Sequence, residues 1–216
     1  MLADARFPAG GHAHSGGLEG AVNAGTVTDA GSLELFLRGR LATSGAVAAA
    51  LAAAACAQAP APQSWALLDA EADARTPSPA QRDASRRQGR PLLRAARAAW
   101  PAPWLDDLAR AAPPPHHPVV LGAVAAAAGA APGEAALVAA YLTVTGPATA
   151  AVRLLALDPI EVAGLTARLG HAIEAAAERG AAAAAGPLAD LPFPSAPALD
   201  LLAEGHVRSE VRLFAS

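Results

Sequence analysis

The chain has 216 residues, of which 53% are hydrophobic and 16% are charged, and its formal net charge is −3. This charge argues against general nucleic-acid binding. All 16 basic residues are arginine, and the absence of lysine excludes a Walker-type phosphate loop, a Schiff-base lysine and a lysine general base. Cys56 is the only cysteine, so we expect no intramolecular disulfide, no thiolate metal cluster and a reduced, cytoplasmic protein.

The composition predicts one all-α domain over residues 1–216. Much of the apolar content is alanine, which is a strong helix former and a weak hydrophobe. Aromatic residues are only 4%, and the alternation of β-branched residues that a sheet needs is missing. We therefore predict a bundle of about eight to ten helices without significant sheet. The apolar stretches 45–56 and 119–131 are too short to span a bilayer, so we expect no membrane insertion.

Prolines and capping residues divide the first half of the chain. An amphipathic helix, an alanine-rich helix and a third helix are predicted over residues 29–42, 45–60 and 64–75. The sequence Ser78-Pro79-Ala80-Gln81 forms a capping box that begins the next helix. Because proline clashes with the preceding turn, we expect this helix to kink or break near Gly89 and Pro91.

The second half is divided in the same way. A short helix around Trp104 precedes two apolar helices over 119–131 and 132–145, and Pro147 opens or kinks the segment that follows. A second capping box at 158–161 begins a helix that runs to about Arg179. A short helix over 198–204 leads into a C-terminal tail, residues 206–216, which we expect to be short and mobile.

The segment Arg6 to Gly20 is the main candidate site. Its paired glycines favour a turn that displays His12, His14 and Ser15. Two imidazoles suit a metal such as nickel, but a metal site needs further ligands, and histidines in such turns often serve hydrogen bonding. Ser15 beside His14 suggests a nucleophile, yet the glycine two positions earlier is missing, so the nucleophile-elbow pattern fails.

Four arginines recur at four-residue spacing on the predicted fourth helix: Arg82, Arg86, Arg90 and Arg94. One interpretation is a solvated face that is partly neutralised by Asp69, Glu71 and Asp73 of the preceding helix. The other is a docking surface for an acidic partner, because arginine offers forked, bidentate hydrogen bonds. The pattern leaves both open.

Five separated segments together resemble the urease accessory protein UreF family. They are RFPAGGHAHSGGLEG at 6–20, SRRQGRPLLR at 85–94, HHPVVLGAVA at 116–125, AAVRLLALDP at 150–159 and the ending RLFAS. Their order and spacing are similar across the whole chain. Relatives usually carry a leucine-rich stretch at the start, which is reduced here to Met1-Leu2.

The resemblance implies a non-enzymatic, all-helical assembly factor. UreF-like proteins dimerise, bind the accessory protein UreD (UreH) and recruit the GTPase UreG, so that GTP hydrolysis is linked to nickel delivery into apo-urease. It implies that no cofactor is bound tightly and that the complex handles the nickel. The residues assigned to partner contact by motif are Arg6, Pro8, Gly10, Gly11, His12, His14, Ser15, Glu19, Arg86, Gln88, Arg90, Arg208, Arg212, Leu213, Phe214 and Ser216.

Three alternatives of a different class stay open. The first alternative is a metallochaperone that binds nickel directly through His12 and His14. The second is a hydrolase that uses Ser15, and the third is a helical regulator of another GTPase. Binding explains the lysine-free chain, the polar glycine-rich turn and the short tail better than catalysis does.

Overall fold

The computed structural model describes residues 1–4, 7, 11–59, 65–110, 114–209 and 212–214. All regular elements in these residues are helical, which confirms the all-α prediction. The α-helices are α1 (Leu18–Asn23), α2 (Ala30–Arg40), α3 (Ala46–Gln58), α4 (Trp65–Ala74), α5 (Pro79–Ala99), α6 (Pro103–Ala109), α7 (His117–Ala127), α8 (Pro132–Leu154), α9 (Pro159–Arg168), α10 (Gly170–Ala183) and α11 (Pro197–Val207). A π-turn, Leu41–Gly45, joins α2 and α3 into one continuous helix, Ala30–Gln58.

Side-chain caps fix the predicted helix starts. Asp29 caps α2 by accepting from the Ser32 backbone N–H at 2.8 Å, and the Ser32 hydroxyl oxygen accepts from the Asp29 N–H at 3.0 Å. Ser78 caps α5 by accepting from the Gln81 N–H at 3.2 Å. The side chain of Gln81 donates instead to Asp200 of α11 at 3.0 Å. Half of that predicted capping box therefore ties α5 to the C-terminal helix.

Of the kink or break predicted near Gly89 and Pro91, the break is wrong, because α5 runs through both residues. A Cβ on Gly89 would lie 2.6 Å from the carbonyl oxygen of Pro115, so α5 and the start of α7 touch here through backbone. Leu92 and Leu93 are buried immediately after the proline. Tertiary packing on both sides of Pro91 thus holds the helix together despite the missing hydrogen bond.

Two further boundaries differ from the prediction. Helix α8 continues through Pro147 and is 23 residues long. The helix predicted over 159–179 instead divides at Leu169, where α9 ends and α10 begins. Leu169 is fully buried, so the turn places its side chain in the core and redirects α10 onto α3 and α8.

Helix α3 lies at the centre of the fold and packs against α7, α8 and α10. Its residues from Ala49 to Cys56 are all buried, as expected for a helix that is surrounded on every side. The core on one side includes α4 to α7, and the core on the other includes α1, α2, α9 and α10, with α3 contributing to both. Small side chains on α3 allow these neighbours to approach closely.

Within the described ranges of the chain, two helices are long and apolar enough to cross a membrane by length and composition. They are Ala30–Gln58 and Pro132–Leu154, and the first is longer than the sequence predicted. The fold buries 61% and 56% of their apolar windows. Such burial is typical of core helices, which pass the same test.

Candidate functional site

The two ends of the chain meet at Glu19. This carboxylate is only 3% exposed. Its Oε1 accepts from the backbone N–H of Leu213 at 2.7 Å, and its Oε2 accepts from the N–H of Phe214 at 3.0 Å. The glycine-rich segment and the C-terminal tail, which the sequence assigns separately to partner contact, are therefore joined. At 213–214 the tail backbone is bonded to α1, and the expected mobility of the tail stays a prediction.

Two further residues, Ser15 and His206, complete this end clamp, which consists of Ser15, Glu19, His206, Leu213 and Phe214. The fully buried Ser15 accepts from the Glu19 N–H through its hydroxyl oxygen at 3.2 Å. His206 Nε2 lies 3.6 Å from Glu19 Oε2 and 3.4 Å from the Phe214 carbonyl oxygen. Phe214 is 6% exposed. Because Ser15 is buried and bonded to helix backbone, its position does not favour a nucleophile.

The glycine-rich turn has the backbone that its sequence predicts. Gly16 and Gly17 adopt left-handed φ values of 61° and 88°, which residues with a Cβ resist. A Cβ on Gly16 would lie 3.0 Å from Pro147 Cγ and 3.1 Å from the Arg40 guanidinium, so the turn packs closely against α2 and α8. Gly11 lies in a short 3₁₀ turn. Four other predicted positions lie outside the described residues: Arg6, Pro8, Gly10 and Ser216. The side chain of His12 also lies outside them.

The predicted arginine row is divided by the structure. Arg86 is 14% exposed and bonds Asp69 Oδ2 and Asp73 Oδ2, each at 2.7 Å. It also donates to the Pro114 carbonyl oxygen at 2.6 Å. The neutralised interpretation therefore holds for Arg86, whereas Arg90 and Arg94 are exposed and are available for docking.

His116 completes the Arg86 cluster from the start of α7. Its backbone N–H donates to Asp69 Oδ1 at 2.8 Å, and its Nε2 lies 2.9 Å from Asp73 Oδ1. Its Nδ1 lies 3.0 Å from the Ser85 hydroxyl. Burial lowers the pKa of His116, which favours the neutral ring with Nε2–H donating to Asp73. His116 thus connects α4, α5 and α7 through hydrogen bonds, whereas the sequence suggests only the start of a helix at this position.

Asp69, Asp73 and His116 place three possible metal-ligand atoms within 4.8 Å of one another. The Arg86 guanidinium already bonds both carboxylates and supplies their compensating charge. A divalent cation would have to displace it. The arrangement therefore fits a structural ion network better than a metal centre.

A cavity of about 720 Å³ lies beside the end clamp. Residues from the predicted site segments converge on it: Gly11, His14, Gln88 and Phe214. Arg40 and His117 also line it, although the sequence did not single them out as site residues. Burial and the charge of His14 lower the pKa of His117 to about 4, so His117 is neutral at pH 7. The described residues place no third metal ligand beside these two histidines.

Fold and site together define a class of protein: an all-helical protein whose candidate site is a clamp and a cavity assembled from its two ends. The UreF family model matches residues 27–170. Proteins named urease accessory protein UreF match essentially the whole chain and 96% of their own length. The identity is 51% over 216 residues for Mycobacterium marinum, 49% over 216 for Mycolicibacterium vanbaalenii and 46% over 215 for Mycobacterium tuberculosis.

The chain belongs to the UreF family. The family is one of accessory proteins and not of enzymes, which confirms the non-enzymatic prediction. The resemblance that five short segments indicated therefore holds along the full sequence.

Proposed function

We propose that this chain is a urease maturation factor that links UreD (UreH) and the GTPase UreG to the urease apoprotein. In this role it is a cytoplasmic scaffold without a tightly bound cofactor, and the assembled complex carries out GTP-dependent nickel incorporation. The names of its relatives support the connection to urease. The end clamp is the structural observation that supports the proposed scaffold role.

The clamp fixes one part of the tail and presents another. Phe214 is buried on the first helix, while the neighbouring Leu213 is 62% exposed. Arg208 and Arg212 are exposed on the same segment. An exposed aliphatic side chain directly after Arg212, on a backbone that is already anchored, is a suitable partner contact because binding then costs little further conformational entropy.

We also propose that two copies of this chain form a homodimer. Leu137 and Tyr141 are exposed large apolar side chains one turn apart on α8. Residues four apart lie on the same face of a helix. They give α8 an apolar surface on which a second copy can pack.

The test is urease activation in cells that supply all other accessory proteins. Replacing residues 208–216 with a glycine-serine sequence should abolish both urease activation and GTPase capture, while the helical circular dichroism stays unchanged. Arg179→Ala, at an exposed position on α10, is the matched control and should activate normally. Wild-type GTPase capture by the tail-replaced protein would contradict the proposal.

A direct nickel-binding role is the second candidate, favoured by the position of His14 in the cavity beside His117. Calorimetry with nickel on the isolated protein distinguishes the two. Tight binding that His14→Gln removes would support the metallochaperone, whereas its absence leaves nickel to the assembled complex.

A further inference from the structure

Arg40 is a desolvated cation that faces the cavity. Its Nε donates to the Thr143 carbonyl oxygen at 3.3 Å. Within the described part of the chain, its two terminal nitrogens have no acceptor and no carboxylate at ion-pair distance. Burial lowers the pKa of Arg40 to about 10, so the side chain is still charged at neutral pH. Arg40 is only partly exposed, and a partly desolvated guanidinium without a counterion among the described residues favours an anion as its partner.

The guanidinium is held in place. A Cβ built on Gly16 would lie 3.1 Å from Arg40 Cζ and Nη2, so the turn backbone packs against one side of the group. The bond to Thr143 fixes its inner edge to α8. A positioned guanidinium presents parallel N–H donors, which match the two oxygens of a planar carboxylate.

An aliphatic wall extends from Arg40 along the same helix. Ser44, Val47, Ala48 and Leu51 line the cavity too, and they follow Arg40 at the spacing that places residues on one helix face. The wall from Arg40 to Leu51 is about 16 Å long at 1.5 Å per residue. One end of this wall is therefore cationic, and the rest is largely hydrocarbon.

Other charged groups that line the cavity have other contacts. Arg75 pairs with Glu71, and the Arg153 guanidinium lies 5.5 Å from the Phe214 ring centroid. Asp200 accepts from Gln81. Among the described charged groups that line the cavity, Arg40 and Arg153 have no carboxylate partner. The cavity volume of about 720 Å³ is typical of small-molecule sites.

We propose that this cavity binds a small organic carboxylate, with the carboxylate group on Arg40 and the hydrocarbon body along Val47 and Leu51. The ligand would be an amphiphilic acid of short chain length, because both a forked cation and an aliphatic wall must be matched. A carboxylate side chain of a docking protein offers the same head group without the hydrocarbon body. Inorganic phosphate offers an oxyanion alone.

The experiment is calorimetric titration of the purified full chain with hexanoate, with the neutral isostere hexanamide and with inorganic phosphate. Hexanoate should bind at least about tenfold more tightly than either comparator, because one charge-assisted hydrogen-bond pair contributes about that factor. Arg40→Gln should weaken hexanoate binding by at least about tenfold. Arg38→Gln is the matched control on the same helix, since Arg38 is exposed and pairs with Glu34, and it should bind like wild type.

A second variant leaves Arg40 intact. Ala48→Leu places a larger side chain in the cavity beside the aliphatic wall, and it should weaken the binding of hexanoate more than the binding of phosphate. Equal binding of hexanoate and hexanamide, or equal binding by wild type and the folded Arg40→Gln protein, would overturn the proposal. If phosphate binds with the same affinity as hexanoate, and Ala48→Leu leaves the phosphate affinity unchanged, the proposal of an organic ligand is overturned. Absence of hexanoate binding up to about 10 mM would overturn the site.

Discussion

The Arg86 cluster shows how one side chain compensates two carboxylates. Asp69 is 14% exposed and Asp73 is 44% exposed. Removing the guanidinium would leave an uncompensated charge in a largely dry position, where breaking a pair costs far more than forming it contributes. Arg86 also holds the Pro114 carbonyl, so the loss would reach the entry to α7.

We predict that Arg86→Met lowers the free energy of unfolding by about 2 kcal/mol or more. Methionine keeps much of the arginine stem, so the loss reports the charge and its hydrogen bonds. The measurement is urea unfolding followed by circular dichroism. Arg87→Met is the neighbouring control, because Arg87 is 59% exposed and pairs with an equally exposed Asp83. It should change stability by less than about 0.5 kcal/mol, and equal losses in the two variants would refute the argument.

The sequence predicted part of this cluster and missed the rest. Acidic residues on one helix and arginines on the next suggested the pairing of Arg86 with Asp69 and Asp73. The contribution of His116 depends on a contact across 43 residues from Asp73, and no local pattern encodes that distance. Arg40 was missed for a similar reason, since at the end of an amphipathic helix it resembles any solvated residue until the π-turn and α8 enclose it.

At the scale of elements, the small residues of α3 determine how closely its neighbours pack. A Cβ on Gly122 of α7 would lie 2.1 Å from the Ala52 carbonyl oxygen and 2.6 Å from Ala55 Cβ. The first contact is with backbone, which cannot rotate away. Ala49 of α3 similarly approaches Gly180 of α10, where a Cβ would lie 2.9 Å away.

We predict that Gly122→Ala destabilises the protein by more than about 3 kcal/mol or prevents folding, because the helices must separate. Gly39→Ala is the matched control in α2, where no neighbouring atom lies within 4 Å of the added Cβ. It should raise stability by about 0.5–1 kcal/mol through helix propensity. Thermal unfolding of both variants measures the difference. A Gly122→Ala protein as stable as wild type would show that α3 and α7 are not packed this closely.

The helix boundaries show where local rules suffice. The start of α2 at Asp29, the Ser78 cap and the prolines at helix starts were predicted, since each depends on residues within one turn. Pro91 and Pro147 were judged by the same local rule, and there it failed because buried neighbours hold both helices across the proline. The division at Leu169 was missed although Gly170 follows it directly, and the fully buried Leu169 lies at the junction of α9 and α10.

At the scale of the whole molecule, the fold makes one surface from the two ends of the chain. Glu19 and Leu213 are separated by 194 positions, yet they are directly bonded. The motifs identified both segments, but no periodicity shows that they touch. If the tail recruits a partner, as we propose, Glu19 acts on that recruitment through the tail.

This dependence predicts that the effects of Glu19→Gln and of a tail substitution are not additive. Glutamine keeps one acceptor but turns an amide donor toward a backbone N–H, so amide hydrogen exchange at Leu213 and Phe214 should accelerate at least about tenfold. For this test the tail is changed at one exposed position, Leu213→Ser, so that some GTPase capture remains to be measured. Capture should fall in Glu19→Gln and in Leu213→Ser, and the double variant should be no weaker than the weaker single variant. Glu161→Gln, at an exposed position in α9, should leave exchange and capture unchanged. If the two losses simply add, Glu19 acts on the partner independently of the tail, and the clamp does not organise the surface.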